Sequence, residues 1–283
     1  MPEPAAPVTD PSVPRDTIEV LQATWRAVSD LGEPLDEAEW KQPSGLPGWT
    51  VQDVFSHLIG TETFLEGEPS APPTTADHPH VRNAIGSFNE NEVEVRRRQP
   101  GRVVLREWND LRRRRERTLA EGDATYFAQP MATPTGPGTM ADFLSIRILD
   151  CWLHEQDLRR ALGRPGNLAG GAAEHTVDRL VSTIPIVVGK RARCPEGAAL
   201  TIRITSGVER NLTYEVRDGR AVFVDQATEP PLCAIELPTE AFIMLATGRV
   251  GPPTPTASVT VDAADETGRD LADRVIAQLN MMI

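Results

Sequence analysis

Residues 139–163 place a carboxylate and an imidazole in the middle of an apolar helix face, and few folds can accept that arrangement. Thr139 followed three residues later by Asp142 is a capping-box start, and Gly163 with Pro165 is a helix stop. At about 100° per residue, Phe143, Ile146, Asp150, Leu153, His154, Asp157 and Ala161 share one face. Asp150 and His154 therefore stand one turn apart within an apolar stripe. Burying them is costly unless something pairs with them. A metal ion is one such partner; a direct Asp–His hydrogen bond is another. The helix by itself leaves both open, so the rest of the chain must be searched for a third ligand.

The preceding 138 residues read as further helices. Residues 1–14 are rich in proline and small residues and are expected to be a disordered lead-in. From Asp16, the spacing of Ile18, Leu21, Trp25 and Val28 predicts a helix ended by Gly32 and Pro34, with a short turn at 36–40. The Leu-Pro-Gly-Trp-Thr turn at 46–50 leads into a helix capped by Thr50 and Asp53. Its stripe is Val51, Val54, Phe55, Leu58 and Ile59, with His57 and Thr61 at the edge. A histidine at such an edge is ordinarily a boundary residue with a hydrogen bond. Residues 67–80 read as a long loop whose His78 and His80, broken by Pro79, offer a poorly preorganised pair for metal. Helices are expected at 82–98 and 102–119, and the Arg112–Arg115 run of the second reads as a solvated face or an anion clamp. Residues 121–138 carry Gly and Pro throughout and lead into the 139–163 helix.

Beyond Gly163 the periodicity changes. One more helix is expected at 172–188, and alternation then marks strands around Leu200–Ile204, Leu212–Val216, Val222–Val224 and Cys233–Leu237. Asp218-Gly219 is a two-residue hairpin turn. A helix from Pro238 to Thr247, a Pro-rich loop at 251–256, a strand at 258–261 and a helix at 270–279 complete the chain. The fold class is thus α+β with two domains: a four-helix bundle over 15–165, and an α+β domain with a mostly antiparallel sheet over 172–283.

Composition narrows the function. The 283 residues carry 41 acidic and 29 basic side chains, a net charge of −12, which argues against general nucleic-acid binding. No run approaches the roughly 20 apolar residues of a membrane span, and the N-terminus lacks the basic and apolar regions of a signal peptide. Cys151, Cys194 and Cys233 fit neither a disulfide framework nor a CxxC motif. The expectation is a cytoplasmic protein, monomeric or a small homo-oligomer, with reduced thiols and no nucleic-acid or membrane partner.

Helices of a bundle converge their ligands on the core, so His57 can join the Asp150/His154 pair. Two histidines and one carboxylate suit zinc and leave a position open for water or substrate; iron(II) or nickel would use similar ligands. The HExxH signature of metalloproteases is absent, because Leu158 stands where its second histidine would be.

The segments 48–58 and 150–164 resemble the mycothiol-dependent maleylpyruvate isomerase family, whose N-terminal part is a DinB-like metal-binding four-helix bundle. Segments 237–249 and 271–283 resemble that family's second domain, which is similar to sterol-carrier-protein folds. The resemblance implies zinc held by His57, Asp150 and His154, and mycothiol as thiol cosubstrate for isomerisation or S-transfer on a small, possibly acidic electrophile. The family's acidic ligand is glutamate; Asp150 is shorter by one methylene. Arg147, at the edge of the ligand face, is a candidate for holding a substrate anion, as is an arginine of the second domain such as Arg203 or Arg210. Asp157, one turn beyond His154, is a candidate partner for its imidazole N–H, or an exposed or helix-end polar residue. Two alternatives keep the same ligands: a zinc hydrolase using metal-bound hydroxide, or a non-catalytic metal- or small-ligand-binding stress module.

Overall fold

The computed structural model describes residues 12–74, 78–249 and 255–282. Most of the expected lead-in at 1–14, part of the 67–80 loop and most of the Pro-rich 251–256 loop lie outside the described residues. The chain divides into two compact units, one ending at Gly166 and the other beginning at Asn167.

The first unit is built on four long helices: α1 (Arg15–Gly32), α3 (Val51–Leu65), α5 (Gly101–Glu121) and α7 (Met140–Ala161). The short α2 (Glu37–Lys41) joins the first two, and α4 (Ala84–Glu94) lies against α3. Helix α1 packs on α7 and α5, and α3 packs on α5 and α7, which closes the bundle. Trp25, Trp40, Trp108 and Trp152 are wholly enclosed in its core, with Phe55, Leu21 and Leu58 around them. Each fully buried apolar side chain of this size contributes about 1.5–3 kcal/mol. The capping boxes take the expected form: Thr50 and Asp53 exchange hydrogen bonds at the start of α3, as do Thr139 and Asp142 at the start of α7. Helix α7 ends where Gly163 turns to φ +62° and the Arg164 amide reaches back to the Arg159 carbonyl.

Several elements differ from the sequence expectations. The 82–98 helix shortens to α4, because Asn83 caps it at Gly86 and the chain tightens into turns after Glu94. Residues 121–139 carry elements that the sequence reading left unassigned. They form α6 (Ala124–Phe127) and a hairpin of β1 (Pro130–Thr133) and β2 (Gly136–Thr139). Within the arginine run, Arg113 and Arg114 keep the expected solvated face, whereas Arg115 does not. Arg115 follows Trp108 and Leu111 along the buried stripe of α5 and is fully enclosed, paired with Glu62 and Glu66. Arg112, Arg113 and Arg114 pair with Glu116, Asp110 and Glu68.

In the second unit, the 172–188 helix breaks into α8 (Gly171–Val181), a short α9 (Ile184–Ile186) and a π-helical turn at Val187–Arg191. Pro185 brings no N–H to continue the ladder. The sheet contains β3 (Ala199–Thr205), β4 (Arg210–Arg217), β5 (Arg220–Val224), β6 (Cys233–Pro238) and β7 (Thr260–Ala263), in the order β5-β4-β3-β6-β7. All pairs are antiparallel except β3 with β6. Asp218 and Gly219 both have positive φ, as the two-residue turn between β4 and β5 requires. The strand at 258–261 shifts to β7, preceded by a 3₁₀ turn at Pro255–Ser258. Helix α10 (Thr239–Ala246) packs on β3 and β6, and α11 (Glu266–Ala277), longer at its start than the expected 270–279, packs on β6 and β7. Asp265 caps α11 at Gly268, which accounts for the earlier start.

Candidate metal centre

The three expected ligands come together from two facing helices. His57 of α3 directs Nε2 to within 3.3 Å of Asp150 Oδ2 on α7. One turn further along α7, Nε2 of His154 is 3.6 Å from Asp150 Oδ1. The two imidazole centroids are 4.8 Å apart. One donor atom from each residue lies within 4.8 Å of the others. Both histidines are buried, while the Asp150 side chain keeps 28% exposure, so the cluster opens on the carboxylate side.

The donor chemistry fits a divalent ion. Burial pushes the His57 imidazole below its ordinary pKa, with Asp150 opposing, and a neutral imidazole is the form that ligates. Arg147 heads the charges that hold Asp150 well below the usual carboxylate range against its burial, with His57 and His154 adding to it. Nδ1 of His154 is 3.1 Å from Asp157 Oδ2, and Asp157 is in turn bound by Arg160. A carboxylate on Nδ1 fixes the imidazole's orientation and leaves Nε2 to face the cluster. His57 Nδ1 has no such partner and is buried without a hydrogen bond. Trp49 covers the pair, its indole 5.4 Å from the His57 ring and 6.2 Å from that of His154.

Arg147 lies beneath the cluster rather than at its mouth. It is 2% exposed, donates to Asp150, and holds Glu62 through Nε at 2.9 Å. Arg115 binds the other Glu62 oxygen at 3.0 Å and also reaches Glu66 and Tyr126. A chain of alternating charges thus runs from α5 through α3 to the carboxylate of α7. The sequence reading did not include Glu62, Arg115 or Trp49 in the site. The one available signal was the position of Glu62 and Arg115 on otherwise apolar stripes. Asp157 is 2% exposed, so of its two sequence readings only the imidazole partner matches its surroundings. In the second unit, Arg210 pairs with Asp178 at 2.8 and 2.9 Å, and Arg203 is exposed on β3.

Cys151 follows Asp150 on α7 but is fully buried, and burial pushes its thiol up to about 12. Among the described residues no helix is long and apolar enough to cross a membrane.

Residues 21–159 match the mycothiol maleylpyruvate isomerase N-terminal domain family. The whole chain is similar in fold to the crystal structure of the mycothiol-dependent maleylpyruvate isomerase, with a TM-score of 0.55 and 16% identity over 90% of this chain and 93% of that one. A histidine-to-alanine mutant of that enzyme matches with a TM-score of 0.54 at the same identity and coverage. No curated protein sequence matches the chain. Residues 21–159 of this chain thus belong to the mycothiol maleylpyruvate isomerase N-terminal domain family, and the chain shares its fold with that enzyme along nearly its full length.

Proposed function

We propose that this chain is a zinc-dependent enzyme that uses mycothiol as cosubstrate to isomerise, or transfer sulfur to, a small electrophile such as maleylpyruvate. The observation that carries the reading is the pair of Nε2 atoms, from His57 and His154, facing the two oxygens of Asp150. When bound there, zinc lowers the pKa of an incoming thiol and so supplies a nucleophile near neutral pH. His57, Asp150 and His154 would hold the ion. Asp157 keeps the His154 tautomer, and Arg147 keeps Asp150 ionised and in place. Trp49 excludes water from one side of the two imidazoles.

For isomerisation, the thiolate adds to the conjugated double bond and the electron pair moves onto the carbonyl as an enolate. Rotation about the resulting single bond follows, and collapse of the enolate expels the thiolate with the other geometry. For S-transfer, the enolate is protonated instead and the adduct leaves. The nucleophile comes from the cosubstrate, since Cys151 stays a buried thiol at neutral pH. The three free cysteines suit a reducing cytoplasm. The partner is a small molecule, not nucleic acid or membrane, and the working unit is a monomer or small homo-oligomer.

Zinc-loaded protein mixed with mycothiol and maleylpyruvate tests the reading directly. Thiol-dependent formation of fumarylpyruvate, or of a mycothiol adduct with a generic electrophile, is expected. Thiol-independent hydrolysis of an ester would move the same ligands to a hydrolase, and no turnover with either would leave a binding module.

A further inference from the structure

The loop before α4 carries a second ligand cluster, separate from the first and independent of the reading above. Glu90 of α4 is 1% exposed. Its Oε2 lies 2.9 Å from His80 Nε2, and its Oε1 lies 3.4 Å from His78 Nε2. One donor atom from each of the three residues lies within 4.8 Å of the others. His78 Nε2 is shielded from solvent and has no hydrogen-bond partner. Each imidazole remains about one-fifth exposed at its edge, so an ion has a path in from water.

The sequence reads His78 and His80 as a poorly preorganised pair on a long loop, but the described part of that loop is tied to α4. The Ala71 and Thr74 amides donate to Glu92 and Asn91, the two residues that follow Glu90 on α4. His80 packs against the turn at Gly48, where φ is +76° and an added Cβ would come within 2.5 Å of the imidazole Cε1. Both carboxylate oxygens are also braced: Trp49 Nε1 donates to Glu90 Oε2 at 2.9 Å, and Arg97 binds Oε1. These are the outer contacts that orient a metal-binding carboxylate. Arg97 is shared with two further carboxylates, Glu94 at 3.0 Å and Asp53 at 3.7 Å. Three carboxylates around one guanidinium leave a deficit of positive charge beside two imidazoles.

We propose that His78, His80 and Glu90 form a second metal site, for a divalent transition-metal ion of borderline softness such as zinc. Two imidazole nitrogens and one carboxylate oxygen are the donor set such ions prefer. The ion would tie the 67–80 loop to α4 and, through Trp49, brace the indole that covers His57 and His154.

The test is metal stoichiometry of the full-length protein, stripped with chelator, reloaded with zinc alone and passed through a desalting column. The wild type is expected to retain two zinc ions per chain, and His78→Ala/His80→Ala one. His57→Ala/His154→Ala is also expected to retain one, which disappears when the two pairs of substitutions are combined. Circular dichroism checks that each variant is folded, and Glu90→Gln gives an independent, near-isosteric removal of the carboxylate. Retention by the wild type of a single ion that is lost in His57→Ala/His154→Ala would overturn the proposal. Two ions retained in His78→Ala/His80→Ala would overturn it as well. A single ion kept in His57→Ala/His154→Ala but lost in His78→Ala/His80→Ala would support this site and refute the first.

Discussion

Arg147 donates to Asp150 from one turn earlier on α7, while its Nε holds the fully buried Glu62 of α3. The carboxylate that would ligate the ion is thus fixed from below by a guanidinium that is itself fixed. Removing one partner of such a buried pair costs about 3–5 kcal/mol, because the other charge is left uncompensated. Arg147→Met should therefore destabilise the protein by that order, read by chemical denaturation. Arg147→Met/Glu62→Gln should cost less than the sum of its single substitutions, since the partners are lost together.

Asp157 acts on His154 through Nδ1. Asp157→Asn keeps the shape but weakens the charge-assisted bond. It should lower zinc affinity by about 10–100-fold, measured by competition with a chromophoric chelator, while the folded spectrum is unchanged.

Asp150 is the carboxylate that stands between the two imidazoles of the first cluster. Asp150→Asn should lower zinc affinity by more than the roughly 10–100-fold expected of an outer contact. Asp150→Glu should keep the ion, because the partly exposed side chain has room to extend. Isothermal titration of the two variants checks both outcomes.

All three cysteines are buried, and burial pushes Cys151 up to about 12 and Cys194 and Cys233 each up to about 11. For an acid with a raised pKa, the neutral thiol dominates at every pH below that value. The native protein should resist iodoacetamide at neutral pH, and mass spectrometry should find three alkylated sites only after unfolding. Rapid labelling of Cys151 in the folded protein would contradict its assigned inertness.

Gly60 of α3 lies tightly against Glu92 of α4, since an added Cβ would come within 2.3 Å of Glu92 Cγ. Gly60→Ala forces the Glu92 side chain to move, and overpacking of this kind costs about 1–3 kcal/mol. A lowered melting temperature is expected. Glu92 also takes the Ala71 amide, so faster proteolysis of the 67–80 loop should accompany it.

Local chemistry made much of this legible. Thr139–Asp142 and Thr50–Asp53 set the starts of α7 and α3, Gly163 set the end of α7, and Asp218-Gly219 set the β4–β5 turn, because caps and turns depend on residues a few positions apart. The helical period placed Asp150 and His154 on one face for the same reason. What the sequence could not supply was the partner across space. His57 could be named as a third ligand only on the assumption that α3 and α7 face each other, which the packing decides. Arg115 read as part of a basic run until it met Glu62. His78 and His80 read as loop residues until Glu90, ten or more positions away, came beneath them. Cap, turn and period are properties of neighbouring residues and are written in order along the chain. Whether a buried charge finds its counter-charge depends on which helices touch, and only the packed bundle decides that.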